Sequence, residues 1–176
     1  LDCYNDLMRQ RTERKAERLF SKEDQPDLTV THGTRMGTQE ASICAVQLYD
    51  IQSRSVDTLV SGGNVTIKLE YNLTKPLSDM VLVLDIHNET NVKCFETCIS
   101  SVYKTFGSLV QHGNFICHLP ELPLLPGLYY INVGLYPTDC SYIYDYHWQM
   151  HPLHITGKDR TYSEYSGVVS LRPIWS

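Results

Sequence analysis

The side chains best suited to chemistry gather in the C-terminal third of the chain, where seven of the eighteen aromatic residues lie between Tyr129 and Trp148. In Gly-Leu-Tyr-Tyr-Ile-Asn-Val-Gly-Leu-Tyr, residues 127–136, two sets alternate. Tyr129, Ile131, Val133 and Leu135 are apolar without a break, and the period of two turns them together toward a core. Tyr130, Asn132, Gly134 and Tyr136 then face outward. A row of ring, amide, bare backbone and ring suits a flat, weakly polar ligand: rings give apolar contact, the amide gives directed hydrogen bonds, and glycine allows close approach. A pyranose is such a ligand, with a C–H face for the rings and a hydroxyl rim that needs amides, carboxylates or imidazoles. Each stacked ring adds on the order of 1 kcal/mol beyond area burial. Packing of Tyr130 and Tyr136 beneath a neighbouring loop is the plainer alternative.

The segment 140–150, Cys-Ser-Tyr-Ile-Tyr-Asp-Tyr-His-Trp-Gln-Met, continues the cluster. Tyr142 is assigned inward, whereas Tyr146, His147 and Trp148 join the rim of the same site, with Asp85 and His87 as further polar partners. That division holds if residues 148–155 stay extended, and Pro152 is the expected place for a bulge that would reset the parity. Other chemistries are weaker. His147, His151 and His154 resemble a ligand cluster, yet His147 and His151 stand roughly 13 Å apart in an extended chain, so no metal is expected. Asp85 and Asp145 are the carboxylates a glycosidase would need, with solvated surface acids as the alternative. There is neither a phosphate-binding Gly-Lys-Ser/Thr loop nor a nucleophile elbow.

The elements that must hold these residues are strands. After Gly37 the pattern has period two, in runs separated by Gly, Pro, Asn and Asp: 43–49, 65–73, 80–87, 92–99, 109–119, 128–136, 148–155 and 167–171. The fold class is therefore all-β, an antiparallel β-sandwich of jelly-roll or Ig-like type. Residues 1–24 read as a thinly amphipathic helix and 21–39 as a polar linker, so a short helix and linker precede the sandwich. The domain boundary is set between 1–36 and 37–176. Since the chain begins at Leu1, it is expected to be a piece of a longer protein.

Composition narrows the classes. Residues 37–176 hold eight basic and thirteen acidic groups, the wrong balance for neutralising phosphates, so nucleic acid is set aside. No apolar run approaches the ~20 residues of a membrane span. Six cysteines and three sequons, at Asn64, Asn72 and Asn88, would fit a secreted Ig-like adhesion or receptor domain. Cys94 and Cys98 in one extended strand are too far apart to bridge, and free thiols are the preferred reading.

Several motifs together resemble a known family. Gly37-Thr38-Gln39-Glu40-Ala41-Ser42-Ile43, Val46-Gln47-Leu48-Tyr49-Asp50 and Ser61-Gly62-Gly63-Asn64-Val65-Thr66-Ile67 are similar to the start of the carbohydrate-binding C-terminal domain of O-antigen polysaccharide ABC transporters. The stretch 119–130 with its Pro-Gly-x-Tyr, the Tyr-Asp-aromatic loop Tyr144-Asp145-Tyr146, and Gly167 to Leu171 with Trp175 match later landmarks. Gly63 departs, since the family usually has an acid there. The resemblance implies a cytoplasmic β-sandwich, peripheral at the inner membrane through the transporter. It carries no catalysis and no cofactor in this fragment, with ATP and Mg in a preceding ATPase domain that also contacts the transmembrane subunit. It further implies a homodimer exchanging the last strand, here Gly167, Val168, Val169, Ser170, Leu171 and Trp175. Its ligand would be the terminus of a lipid-linked O-polysaccharide, bound at Tyr130, Asn132, Tyr136, Asp85, His87, Tyr146, His147 and Trp148. A β-jelly-roll glycosidase and the secreted Ig-like domain are the competing readings.

Overall fold

A computed structural model describes residues 33–100, 109–157 and 167–169, together with Gln10, Arg11 and Arg14. Of the helix and linker expected over 1–36, the end of the linker is a strand instead, Thr34–Met36, because it pairs with Tyr146, His147 and Trp148, and the remainder apart from Gln10, Arg11, Arg14 and Gly33 lies outside the described residues. Nine strands follow in order: β1 (Thr34–Met36), β2 (Ala41–Tyr49), β3 (Thr58–Val60), β4 (Gly63–Leu73), β5 (Val81–Asn88), β6 (Lys93–Ser100), β7 (His112–Leu122), β8 (Gly127–Tyr136) and β9 (Asp145–Thr156). Seven correspond to runs read from the sequence. β1 and β3 are additions, three residues each and too short to show a period.

One sheet runs β1-β9-β8-β5-β6, with β3 also paired to β9, and the other runs β2-β4-β7. All pairs are antiparallel except β3 with β9. Alternation builds the core: Val65, Ile67, Leu69, Tyr71 and Leu73 of β4 are buried against Leu82, Leu84 and Ile86 of β5 and Tyr129, Ile131, Val133 and Leu135 of β8. Ile131, Val133 and Leu135 are fully enclosed, and each such side chain contributes about 1.5–3 kcal/mol. Tyr129 keeps its hydroxyl satisfied by donating to the Leu125 carbonyl at 2.8 Å, and burial pushes its pKa up to about 12. Cys94 and Cys98 share β6 and are both free.

Two local devices shape the sheet that carries the candidate site. The turn between β5 and β6 closes because Asn88 Oδ1 accepts from the backbone N–H of Thr90 (3.1 Å) and of Val92 (2.7 Å), while Asn91 takes φ +62°. In β9, Val133 pairs with His147 and Ile131 with His151, so four residues of β9 span two of β8. The extra pair forms a bulge at Gln149, whose φ is +51°. Because the insertion is two residues long, inward and outward positions stay in phase on both sides of it. The bulge thus sits three residues before Pro152, where it was expected, and does not change the parity. β9 also starts at Asp145, so Asp145 and Tyr146 belong to a strand, not to the loop implied by the family resemblance.

Candidate functional site

The outer face of the larger sheet brings together side chains from β5, β6, β8 and β9. Leu84 and Ile86 point into the core, so Asp85 and His87, which alternate with them, point outward, beside Asn132 and Tyr130 of β8 in direct register. A row of polar side chains crosses the strands, hydrogen-bonded from Asp85 through Asn132 to the β9 backbone. Asn132 Nδ2 donates to Asp85 Oδ1 at 2.6 Å, and Asn132 Oδ1 accepts from the backbone N–H of Gln149 at 2.7 Å. His87 Nε2 lies 3.2 Å from Asp85 Oδ1, and His87 Nδ1 bonds Asn91 Oδ1 at 2.8 Å. Since an amide oxygen only accepts, Nδ1 carries a proton there. Nε2 is enclosed and has no hydrogen-bond partner among the described residues, so its approach to Asp85 is a close contact only. Burial raises the Asp85 carboxyl, against the opposing pull of Asn132, His87 and Lys93.

The aromatic rings flank this row. Gly134 is not open backbone: a Cβ there would come within 2.5 Å of the Tyr136 ring, so Tyr136 lies folded over the glycine. Tyr136 and Tyr146 pack on buried Met36 and Ile143, forming a small second core on the outer face. Burial drives the Tyr146 hydroxyl well above the usual phenol range. Trp148 stands 6.0 Å from Tyr146 and meets His87 edge-on at 5.2 Å. Tyr130, Tyr136, Tyr146 and Trp148 all remain half-buried. The face differs from the sequence expectation in two places. Asn132 is fully enclosed and both ends of its amide are occupied, so it orders the row instead of meeting a ligand. Gly134 is covered by its neighbour's ring.

His147 is separated from the rest. It shares the inward parity of Val133 and Asp145 and lies on the opposite side of the sheet from Tyr146 and Trp148. There the bulge folds the chain so that His147 Nδ1 and His151 Nε2 bond at 2.9 Å with the rings stacked, which overturns the separation of an extended strand. Burial lowers both imidazoles, His151 to about 4 with the His147 charge as a second cause. Among the described residues no group of three or more His, Cys, Asp or Glu is arranged to hold a metal. Asp145 is fully buried beside this pair. It accepts from Arg35 Nε (2.9 Å) and Nη2 (2.7 Å), from Gln39 Nε2 (3.0 Å) and from the backbone N–H of Ile43 (2.6 Å), tying β1, β2 and β9. Asp85 and Asp145 thus sit on opposite faces of one sheet and cannot flank one glycosidic bond. Tyr142 packs against the main core and meets Tyr144 edge-on at 5.3 Å.

Of the strand assigned to exchange, Gly167, Val168 and Val169 are described. Leu125 N donates to the Val168 carbonyl at 3.1 Å, and Val169 forms a lone antiparallel bridge with Leu124. Ser170, Leu171 and Trp175 lie outside the described residues.

Two packed sheets, antiparallel but for one short pair, make the chain a β-sandwich. Within that class it belongs to the Wzt C-terminal domain family, which matches residues 32–171. The crystal structure of the C-terminal domain of wzt has a TM-score of 0.69 to it at 13% identity, over 89% of this chain and 99% of that one. A β-glucuronidase of Parabacteroides merdae matches at TM-score 0.38 and 9% identity, over 66% of this chain and 14% of that one, too little to bear on the fold. No curated protein sequence matches. Family membership gives the chain a role in an O-antigen ABC transporter, as a non-catalytic C-terminal domain.

Proposed function

We propose that the chain is a glycan-binding module that recognises the end of a lipid-linked O-antigen polysaccharide and so selects it for export. The carrying observation is the convergence of Asp85, His87, Tyr130, Tyr136, Tyr146 and Trp148 on the outer face of one sheet, with half-exposed rings beside a polar row. Rings take the C–H faces of a sugar and the polar rim takes its hydroxyls. Asn132 acts behind them by fixing Asp85 and the Gln149 bulge. Dimerisation by exchange of the strand beginning at Gly167, a cytoplasmic location beneath the membrane, and attachment through an ATPase domain using ATP and Mg to a transmembrane subunit complete the reading.

Calorimetric titration with the O-polysaccharide of the source cell, native and stripped of its non-reducing terminal group, tests it. Binding that disappears on stripping, and weakens at least tenfold in Trp148→Ala, is expected. Equal binding of both polysaccharides would remove end recognition, and undiminished binding by Trp148→Ala would remove this face. Deleting residues 167–176 should yield aggregate, because exchange leaves a sheet edge that only the partner covers. A soluble monomer would count against the exchange.

A further inference from the structure

Resting on the glycan reading of the outer face, we infer that the glycan end taken there is uncharged, bearing hydroxyl, acetamido or methyl groups but no phosphate, uronate or free amine. The charges on this face are already matched to one another. Glu96 stands directly across from Asp85 on β6, and Lys93 directly across from His87. Lys93 Nζ and Glu96 Oε2 are in contact, so the cation nearest the row is held by a carboxylate. Asp85 is 5% exposed and bonded to Asn132, with the His87 ring 3.2 Å from the same carboxyl oxygen, so it is covered on the side from which a ligand would come. The remaining cations of the sandwich described here serve elsewhere. Arg35 is bound to Asp145 on the inner side, Lys68 of β4 is paired with Glu70 at 2.7 Å in the other sheet, and Arg54 is held by Asp50 beyond β2. Glu40, below the usual carboxylate range despite its burial because Lys75, Thr38 and Tyr142 bond it, retains Lys75.

An arriving phosphate or carboxylate would therefore lose its hydration without gaining a cation from the described residues of the sandwich, and would meet Glu96. An ammonium group would find Asp85 enclosed and Glu96 occupied. Neutral groups carry no such cost and can lie on the half-exposed rings of Trp148 and Tyr146.

The test is a glycan array probed with the full 176-residue chain at low ionic strength, carrying otherwise matched oligosaccharides ending in neutral hexose, 6-deoxyhexose, N-acetylhexosamine, free hexosamine, uronic acid or phosphate. The expected result is a preference of at least roughly tenfold for one or more of the neutral ends over every charged one. Glu96→Lys, which adds an unmatched cation beside Asp85, should shrink the neutral-over-acidic ratio by about tenfold. An acidic or free-amine end bound as tightly as the best neutral end overturns the inference while leaving glycan binding intact. A Glu96→Lys ratio equal to the parent's also overturns it. Absence of binding to every glycan overturns the glycan reading itself, and this inference with it.

Discussion

Replacing Asn132 with Ala should show how much of the outer face hangs on one enclosed amide. The substitution removes a hydrogen bond to a carboxyl at 2.6 Å and the acceptor of the Gln149 N–H at 2.7 Å. A bond to a charged group contributes about 1.5–3 kcal/mol, and an unpaired buried N–H costs about 1–3 kcal/mol. Taking the lower part of each range, because water can enter the space vacated, gives a loss of about 3 kcal/mol. For a chain of this size each kcal/mol moves the melting temperature by about 2–4 °C, so the midpoint should fall by about 10 °C. Urea unfolding followed by far-UV circular dichroism measures the loss, and Trp148 emission reports whether the bulge has moved. Asn132→Asp sharpens the reasoning. It keeps an acceptor for Gln149 but sets two carboxyls 2.6 Å apart, so one must hold a proton and its folded pKa rises above the unfolded value. Stability is then fully present below the unfolded pKa of about 4 and is lost as pH rises through the folded value. Asn132→Asp should therefore be closest to the parent at pH 5 and furthest at pH 8. A loss below 1 kcal/mol for Asn132→Ala, or a pH-independent gap for Asn132→Asp, would refute the assignment of Asn132 as the tie between Asp85 and the bulge.

Three further outcomes follow from the same geometry. His147 and His151 both have folded pKa values below the ordinary 6.5, His151 at about 4, so the stability their neutral pair contributes is present above pH 6.5 and lost as pH falls toward 4. Urea midpoints should decline over that window by about 2 kcal/mol after discounting partial exposure, and His151→Leu should flatten the decline. Asp145→Ala leaves the Ile43 N–H without its acceptor and takes the carboxylate from Arg35, which at 39% exposure keeps water and Gln39, so equilibrium unfolding should show a loss of about 2–3 kcal/mol, against less than half that for Arg35→Met with Asp145→Asn combined. Gly134→Val must push the Tyr136 ring off the sheet, so it should lower glycan affinity more than Tyr136→Phe does in the same titration.

Much of the architecture was legible because apolar alternation in β4 and β8 is unbroken, and an unbroken set fixes which face is inside. The same rule places Tyr130, Tyr136, Tyr146 and Trp148 outward together. What strand parity does not carry is the interaction between neighbours on a face. Nothing in the string Tyr-Tyr-Ile-Asn-Val-Gly-Leu-Tyr says that Tyr136 folds back over Gly134, or that Asn132 spends both amide ends on Asp85 and the β9 backbone. His147 was misplaced because it follows Tyr146 directly, and adjacent strand residues point opposite ways. The bulge was attributed to Pro152, the one residue with a sequence signal for it, whereas it forms at Gln149, a residue type with no special preference for positive φ. β1 escaped notice since three residues are held by pairing to Tyr146, His147 and Trp148 and not by any pattern of their own.

The even length of the Gln149 bulge determines which changes of chain length the face can survive. Losing one residue between His147 and His151 would exchange inside and outside for the part of β9 before the cut: Trp148 and Tyr146 would turn into the sandwich, and Asp145 would be carried out to solvent, away from Ile43. Losing two would straighten the strand and part the histidines, yet leave every ring on its present side. Insertions obey the same arithmetic, so viable length variants of this strand should differ from it by even numbers of residues.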